Sequence, residues 1–375
     1  MEAMTADSGY RAEEAEPDPT TVDQASATSD GRVTSPDRLR VTWAQQQVAE
    51  VQGLKTLARQ AEEVRVPRRE PYPLAGSVGV GDRIFSLLTA GAGALVIAIL
   101  LLILGTLGWQ GRTSVAKFGL SFLTSSEWNT ITGVFGAAPA ILGTVYTSML
   151  ALVLAAPVAV LVAIFLVELA PRRVRFPLGF LIELLAAVPS IVYGLWALLV
   201  LVPLVRQYIE PPLIDRFGNL PIFSGYPLGL GILSASLILA VMILPTIASI
   251  SRDVMLAVPN SQRDAMLALG ATRWETTWKA VIPYARSGII GGIILGLGRA
   301  VGETMAVQMV IGNQPQVTAS LFQAGTTMAA TIVNELTEAT TEVHRSALIE
   351  LGLILMIVTL ALNAFARLLV WRVAR

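Results

Sequence analysis

The chain has 375 residues, of which 54% are hydrophobic and only 14% are charged. Soluble globular domains carry about a quarter charged residues, so this composition excludes an ordinary soluble enzyme. The 27 basic and 27 acidic side chains cancel, so the basic excess typical of nucleic-acid-binding proteins is absent and no nucleic-acid partner is expected. With no cysteine and a single histidine, His344, the chain offers no disulfide, thiol nucleophile or thiolate metal site. We therefore expect neither a metal nor another cofactor.

Residues 1–80 differ from the rest of the chain and are predicted to form a disordered extension. Residues 1–38 are rich in Asp, Glu, Ser, Thr and Pro and contain almost no large apolar side chain, a composition typical of disorder. Within 41–64, apolar side chains recur at nearly helical spacing, at Val48, Val51, Leu54 and Leu57. This pattern fits a short amphipathic helix, although a solvated helix or an unstructured linker explains it equally well.

Six apolar runs beyond Arg83 are long enough to cross a bilayer as helices, for which about 20 residues are needed. They are residues 84–109, 141–168, 178–205, 228–250, 287–313 and 347–371. Backbone polar groups inside hydrocarbon must be hydrogen-bonded within the chain, and no alternating barrel pattern is present in the sequence. The sequence therefore predicts an all-α integral membrane protein with six transmembrane helices, in which residues 81–375 form the transmembrane domain.

Lysine and arginine are concentrated in alternate loops, and this asymmetry predicts the orientation of the spans. Basic residues are frequent before the first span and after the second, fourth and sixth. The intervening loops hold fewer, and the last of them is acidic, with Glu335, Glu338 and Glu342. Both termini, and the loop 251–286 between the fourth and fifth spans, are therefore expected in the cytoplasm.

The loop 251–286 is too long for a simple turn and carries a helical pattern. Ser261 can cap a short helix, which Gly270 can end in a left-handed conformation. A second short helix, WETTWKAVI, follows and is expected to end at Pro283. Two short cytoplasmic helices, each apolar on one side, are suited to docking into a groove of a partner protein.

Within this loop, Asp264, Ala265, Gly270 and Pro283 have the spacing of the EAA loop of ABC importer permeases. The family pattern is E-A-A, three residues, Gly, nine residues, then I-x-L-P. This sequence departs from it at four positions, among them Asp264, where the family has Glu. The resemblance implies that the loop is the coupling helix, which fits a cleft in an ATP-binding subunit, and that the fold is a type I ABC importer permease-like bundle.

The run LGLGRAVGETMAVQMVIGNQP in the fifth span resembles the PstC family of phosphate importer permeases, as do LLAAVPSIVYGLW and ALGATRWETTWKAVIPYARSGI. The likeness covers about residues 85–375. It implies a permease subunit of an ATP-driven phosphate importer. Such a subunit works with a second, PstA-like permease, a PstB-like ATP-binding dimer and a PstS-like extracytoplasmic phosphate-binding protein. The alternatives are a PstA-type sister subunit and a permease for another oxyanion, such as sulfate or molybdate.

Arg299 and Glu303 stand about halfway along the fifth predicted span, at a depth where an ionised group is costly unless it is paired or hydrated. At i and i+4 they would share one helical face and could neutralise each other. Two glycine sets lie on adjoining faces of the same span: Gly288, Gly292 and Gly296, then Gly291, Gly298 and Gly302. Small residues on two faces predict a central span. We interpret Arg299 and Glu303 as part of the substrate path; a purely structural ion pair is the other interpretation.

Several other positions carry weaker signals. Pro189 and Pro245 are expected to kink their helices. Glu183 and Glu350 fall near membrane ends and are expected to reach water, and His344 is expected to be a solvated loop histidine. Three hydroxyl residues share one side of the second span and are expected to bond neighbouring helices: Thr144, Thr147 and Ser148.

The sequence lacks a nucleotide-binding motif, because the string GxxxxGK[ST] is absent. Energy from ATP must then enter through a separate subunit, which makes the chain a transport subunit and not an enzyme. An intramembrane protease or lipid transferase would need a Ser/His dyad, an Asp pair or a metal cluster, and none is evident. A passive channel or scaffold would need no coupling loop. The expected location is the cell inner membrane, in contact with lipid.

Overall fold

The computed structural model describes residues 79–374. The extension predicted from the sequence, including the possible amphipathic helix at 41–64, lies outside the described residues. The chain divides into two units between Leu87 and Leu88, and the packing described below concerns the second unit, Leu88–Arg375.

Residues 79–374 fold mostly as helices, which are joined by short loops and by three longer connections at residues 125–137, 218–231 and 311–327. The last of these, residues 311–327, is here called the irregular segment. The helices are α1 (Val80–Phe118), α2 (Ser121–Thr124), α3 (Ala138–Leu169), α4 (Arg172–Ala187), α5 (Ser190–Phe217), α6 (Ile232–Leu256), α7 (Asn260–Ala268), α8 (Arg273–Gly302), α9 (Met305–Val310), α10 (Met328–Glu335) and α11 (Glu342–Ala374). Wider π-helical turns occur within α3, α5 and α8.

Six of these helices, α1, α3, α5, α6, α8 and α11, are long and apolar enough to cross a membrane. The predicted all-α membrane class and the predicted number of spans are therefore confirmed. The bounds predicted for two of the spans, the third and the fifth, are wrong. The third span, predicted at 178–205, is divided, because α4 covers its first part and α5 begins only at Ser190. The fifth, predicted at 287–313, starts earlier, at Arg273, and ends earlier, at Gly302.

Pro189 separates α4 from α5 and does not merely kink one helix. A residue that precedes proline is disfavoured in the α conformation, and Val188 and Pro189 are extended, with ψ angles of 130° and 139°. Pro245 behaves differently, since α6 continues through it. A proline inside a helix removes one backbone hydrogen bond, which a membrane bundle tolerates where neighbouring groups replace it.

The fourth span, α6, lies at the centre of the packing. Of its most apolar stretch, 72% is buried, compared with 33% for α8. The predicted glycine face of α8 packs directly on α6: a Cβ added at Gly288 would lie 2.4 Å from Val254, and one added at Gly296 would lie 2.7 Å from Ile247. Because glycine has no side chain, the two helix backbones can approach closely.

The second predicted glycine face of α8 is largely open. An added Cβ at Gly291 or Gly302 would meet nothing within 4 Å, while one at Gly298 would lie 3.5 Å from Asn363 of α11. The prediction of a central fifth span is therefore only half correct: α8 is closely packed on one face, and α6 is the more buried helix.

Two buried apolar clusters mark the ends of the bundle. At the end near α7, here called the loop end, Met255, Val281 and Ala285 join α3, α6 and α8. At the other end, here called the far end, Phe122 and Phe135 pack with the starts of α10 and α11. The irregular segment contacts the far half of the bundle, where Phe322 packs against Ile232 at the start of α6.

His344 belongs to the far end and is not the solvated loop residue that the sequence predicts. Because α11 begins at Glu342, the His344 ring is turned inward and only 6% of the residue is exposed. The ring stacks on Phe135, and its Nε2 lies 2.8 Å from Glu335 Oε2. The indole N–H of Trp128 donates to the same carboxylate oxygen at 2.9 Å.

Glu350 is also more buried than the sequence suggests. It lies in α11 with 7% of its surface exposed, and its backbone packs against Gly111 of α1. The expectation that Glu350 reaches water is therefore wrong, because the far part of α1 covers this turn of α11.

The contact of α3 with the irregular segment provides a test of this packing. A Cβ at Gly143 would lie 1.9 Å from the carbonyl oxygen of Thr326. We expect Gly143→Ala to lower the free energy of unfolding by about 1–3 kcal/mol through overpacking. The measurement is the thermal midpoint of the detergent-purified protein. Gly291→Ala, whose methyl group would enter open space, is the matched control, and equal midpoints for the two variants would contradict this packing.

Candidate functional site

The helix that carries Arg299 stops inside the apolar region. α8 ends at Gly302, Glu303 is extended with a ψ angle of 130°, and α9 begins at Met305. Glycine and the β-branched Thr304 favour such an ending, because both have low helix propensity. Interrupted helices at membrane depth are tolerated where protein or a water-filled cavity surrounds them, and transporters build substrate sites at such breaks.

The guanidinium of Arg299 is held from the neighbouring helix α6. Its Nη1 donates a hydrogen bond to Thr246 Oγ1 at 3.1 Å. Within residues 79–374 no other hydrogen bond or ion pair engages this guanidinium, so four of its five N–H donors are available. Sequence reasoning missed Thr246. The only signal for it was a hydroxyl residue that directly follows Pro245 in the middle of a span.

Glu303 does not pair with Arg299. Because α8 ends before Glu303, the two side chains no longer share a helical face. The Glu303 Oε1 instead accepts a hydrogen bond from the backbone N–H of Ala306 at 3.4 Å, in the first turn of α9. The expectation that the pair neutralises itself is therefore wrong. Among the described residues, Arg299 is a cation at membrane depth without a paired carboxylate.

The chain beyond the break turns back into the bundle. Gly312 and Asn313 have φ angles of +89° and +51°, left-handed conformations that reverse the chain after α9. The irregular segment then bonds to the start of α6, where the N–H of Leu233 donates to the Leu321 carbonyl at 2.8 Å. These contacts satisfy backbone groups that would otherwise be unpaired. The sequence could not predict these contacts, because they join residues that lie nearly 90 positions apart in the chain.

The other polar residues singled out in the sequence have structural contacts. Thr144 Oγ1 accepts from the Met328 N–H at 2.9 Å, which confirms hydrogen bonding between α3 and α10. Thr147 and Ser148 donate to carbonyls of their own helix, so the same expectation is wrong for them. Glu183 is 56% exposed and forms an ion pair with Arg252 at 2.7 Å. Residues 79–374 contain no group of three or more His, Asp or Glu side chains placed to hold a metal ion.

The loop between α6 and α8 is shorter than the predicted 251–286, because both flanking helices extend into that range. α7 forms its centre. The predicted cap is wrong in detail, since α7 begins at Asn260 after Pro259 and Ser261 makes no capping bond. The predicted stop is confirmed: Gly270 has a φ angle of +83°.

The helix after Gly270 begins with a capping box. The side chain of Thr272 accepts from the Glu275 N–H at 3.2 Å, and the Glu275 carboxylate accepts from the Thr272 N–H at 2.9 Å. From there α8 continues through Pro283 into the apolar region, so the prediction that a short helix ends at Pro283 is wrong. The wider turn Thr277–Val281 ends two residues before Pro283 and accommodates its missing N–H by shifting the hydrogen-bond register.

α7 presents a surface that the described chain leaves uncovered. Asp264 and Ala265 are exposed, and so are 46% of Leu267 and 84% of Leu269. A Cβ at Gly270 would meet nothing within 4 Å. Exposed leucines on a short helix and directly after it, at a bundle end, are typical of a surface that docks into a partner.

Arg263 anchors α7 to two transmembrane helices. Its Nη2 lies 3.1 Å from Glu168 Oε1, at the end of α3. Its guanidinium also donates to the Met255 carbonyl at 2.8 Å, in the last turn of α6, and to the Val258 carbonyl at 2.6 Å, just beyond that helix. An arginine at a helix C-terminus satisfies carbonyls that lack helical partners. The uncovered face of α7 is therefore fixed in position relative to α3 and α6. Sequence reasoning did not single out Arg263.

Comparison with known proteins assigns this arrangement to a class. Residues 155–375 match the family described as the binding-protein-dependent transport system inner membrane component. A chain in the crystal structure of a bacterial alginate ABC transporter, in complex with an alginate pentasaccharide-bound periplasmic protein, shares the fold. It aligns with a TM-score of 0.50 and 13% identity, over 76% of this chain and 93% of that one. The chain therefore belongs to the inner membrane components of binding-protein-dependent transport systems.

Relatives define the family more closely. The phosphate transport system permease protein PstC of Xylella fastidiosa (strain 9a5c) is 48% identical over 298 residues, covering 78% of this chain and 92% of that protein. The PstC protein of Mesorhizobium japonicum is 46% identical, over 78% of this chain and 90% of its own length. The chain belongs to the PstC family of permease proteins.

Proposed function

We propose that this chain is the transmembrane permease subunit of an ATP-driven phosphate importer. One observation carries the proposal: Arg299 stands beside a helix break at membrane depth, with four N–H donors free of partners in the described residues. The names of the relatives, phosphate transport system permease protein PstC, support phosphate as the substrate.

Arg299 has the chemistry that a phosphate path requires. A guanidinium presents planar paired donors that match two oxygens of a tetrahedral oxyanion. In a path of low dielectric constant this attraction is much stronger than in water. Since Thr246 occupies one donor and fixes the guanidinium, the remaining donors are available to the anion without competition from Glu303.

Glu303 supplies selectivity in this proposal. Phosphate near neutral pH keeps at least one proton, whereas sulfate keeps none. The Glu303 carboxylate can accept a hydrogen bond from protonated phosphate, while it repels fully ionised sulfate. Discrimination between the two anions then follows from the repulsion between Glu303 and sulfate.

The partners proposed for this subunit follow from the uncovered surfaces. The open face at Gly291 and Gly302 suits a second, PstA-like permease, so that the path forms between the two subunits. The exposed leucines of α7 suit a PstB-like ATP-binding dimer, and a PstS-like phosphate-binding protein would dock at the far end. In this arrangement the loop end and both termini are cytoplasmic and the chain is a multi-pass protein of the cell inner membrane.

Transport in this proposal proceeds by alternating access. Closure of the ATP-binding subunits moves α7, and the Glu168–Arg263 anchor passes that movement to α3 and α6. Arg299 and its neighbours would then be exposed first at the far end and afterwards at the loop end.

We expect Arg299→Gln to abolish phosphate uptake without preventing membrane assembly, because the paired donors are lost. Arg299→Lys should retain only part of the activity, because a point charge lacks the planar geometry. The measurement is radiolabelled phosphate uptake in cells that lack other phosphate importers. Normal uptake by an Arg299→Gln protein present at normal membrane levels would show that the arginine is structural.

Glu303→Gln is the companion variant. We expect it to keep phosphate uptake but to let sulfate compete more strongly, because the repelling charge is removed. Sulfate competition against labelled phosphate measures this. If the unmutated protein takes up labelled sulfate or molybdate in preference to phosphate, the substrate belongs to that alternative oxyanion class.

Thr246 is expected to act as a positioning residue for Arg299. Thr246→Val removes one hydrogen bond, worth about 0.5–1.5 kcal/mol, and should raise the KM for phosphate about two- to twelvefold. Thr246→Ser should restore the unmutated KM. Thr359→Val is a matched control, since the Thr359 hydroxyl donates to the Leu355 carbonyl of its own helix. An unchanged KM in Thr246→Val would argue against this role.

The docking role of α7 is tested at Gly270. A residue with a side chain pays about 1–2 kcal/mol in the left-handed conformation that Gly270 adopts. Gly270→Arg should therefore distort the turn and lower substrate-stimulated ATP hydrolysis by the assembled transporter, while the bundle still folds. Gly270→Asn, which tolerates this conformation, should retain most of the activity. Full stimulation in Gly270→Arg would show that the loop does not couple the subunits.

A further inference from the structure

A polar cavity of about 340 Å³ lies at the far end between α1 and α11. Its lining comes from both helices: Trp109, Gln110, Arg112, Thr113, Glu342, Arg345, Ser346 and Ile349. None of these residues takes part in the proposed transport path.

The cavity stands where the apolar part of α1 ends. The run of apolar side chains in α1 finishes at Trp109, and Gln110 and Arg112 follow. Trp109 is 71% exposed, and below it Leu102 is 66% exposed. Tryptophan is enriched at the boundary between membrane and water. The cavity is therefore at the level of the lipid headgroups, directly above an apolar face that the described chain leaves open.

The charges in the cavity favour an anion. The Arg112 guanidinium carbon lies 4.2 Å from the centre of the Trp109 ring. Neither the Arg112 nor the Arg345 side chain forms a hydrogen bond or an ion pair within the described range 79–374. The carboxylate of Glu342 is already engaged, since its Oε1 accepts from Thr113 Oγ1 at 3.3 Å. Two unpaired cations and one engaged anion give the lining a net positive charge.

We propose that this cavity binds the phosphate group of a membrane phospholipid. A phosphodiester carries one negative charge, and its two free oxygens match the paired donors of a guanidinium. Stacking on Trp109 holds Arg112 in place before the ligand arrives. The acyl chains would lie along the exposed face of α1. This apolar continuation favours a lipid over free phosphate, and the net charge favours an anionic headgroup such as phosphatidylglycerol.

The test measures how much lipid the full-length chain retains after extraction from the membrane in mild detergent. The chain is purified together with whatever subunits are extracted with it. Native mass spectrometry counts phosphatidylglycerol that stays bound as the collision energy rises. We expect the unmutated protein to retain at least one such lipid and R112Q/R345Q to lose at least tenfold in occupancy. R206Q/R216Q removes two exposed arginines that do not line the cavity, and it should retain the lipid.

Further arms separate the sources of the anion. Phosphatidylcholine should bind more weakly than phosphatidylglycerol, and millimolar inorganic phosphate should not displace the lipid. Displacement by inorganic phosphate would overturn the proposal in favour of a free-anion site. Equal retention by R112Q/R345Q and the unmutated protein would also overturn it. The proposal would also be overturned if R112Q/R345Q retained the lipid normally but its ATP hydrolysis were no longer stimulated by the extracytoplasmic binding protein. The cavity would then be a protein docking surface.

A second variant guards against misfolding of the double mutant. Trp109→Leu keeps both guanidiniums and removes only the stacking partner of Arg112, and we expect an intermediate loss of lipid. If R112Q/R345Q misfolds and Trp109→Leu retains as much lipid as the unmutated protein, the result counts against the site. The test measures lipid retention and not phosphate uptake. The result of the test is therefore independent of the proposed transport function.

Discussion

The close contact between the glycine face of α8 and the branched apolar face of α6 determines the positions of the other functional parts. Near the loop end it places Gly288 against Val254, which fixes the two helices that carry α7 between them. Farther along it places Gly296 against Ile247, one residue from Thr246. The hydrogen bond from Arg299 to Thr246 exists because the two backbones are this close. A bulky residue on the glycine face would separate the arginine from its support.

Much of the fold could be predicted from the sequence because the bilayer imposes simple rules. Apolar length alone gave six membrane-spanning helices, and Gly270 ended α7 because only a few residues accept a positive φ angle cheaply. The errors share a cause. Pro283, Pro189 and Glu303 were interpreted from local preferences, but whether a helix continues or breaks at such positions depends on the neighbouring elements. A π turn allows continuation at Pro283, whereas the packing of α9 and the irregular segment supports the break at Glu303.

The candidate site likewise has parts that could be predicted from the sequence and parts that could not. Arg299 could be found in the sequence because a charged residue in an apolar run is conspicuous. Its support, Thr246, could not, because Thr246 is an ordinary residue in a different span. His344 was misinterpreted for a similar reason: its apolar neighbour Phe135 lies more than 200 positions earlier in the chain. Hydrogen bonds and stacking between distant segments leave no periodic trace in the sequence.

The continuity of α8 through Pro283 makes it a lever. One end begins with the capping box at Thr272, in the loop that faces the proposed ATP-binding subunits, and the other carries Arg299. At 1.5 Å per residue, the arm from Arg273 to Arg299 is about 39 Å long. A tilt of about 5° around the capped end would move Arg299 by about 3 Å, enough to break a hydrogen bond such as that to Thr246. A small rotation at one surface of the protein can therefore change which groups hold the arginine deep inside it.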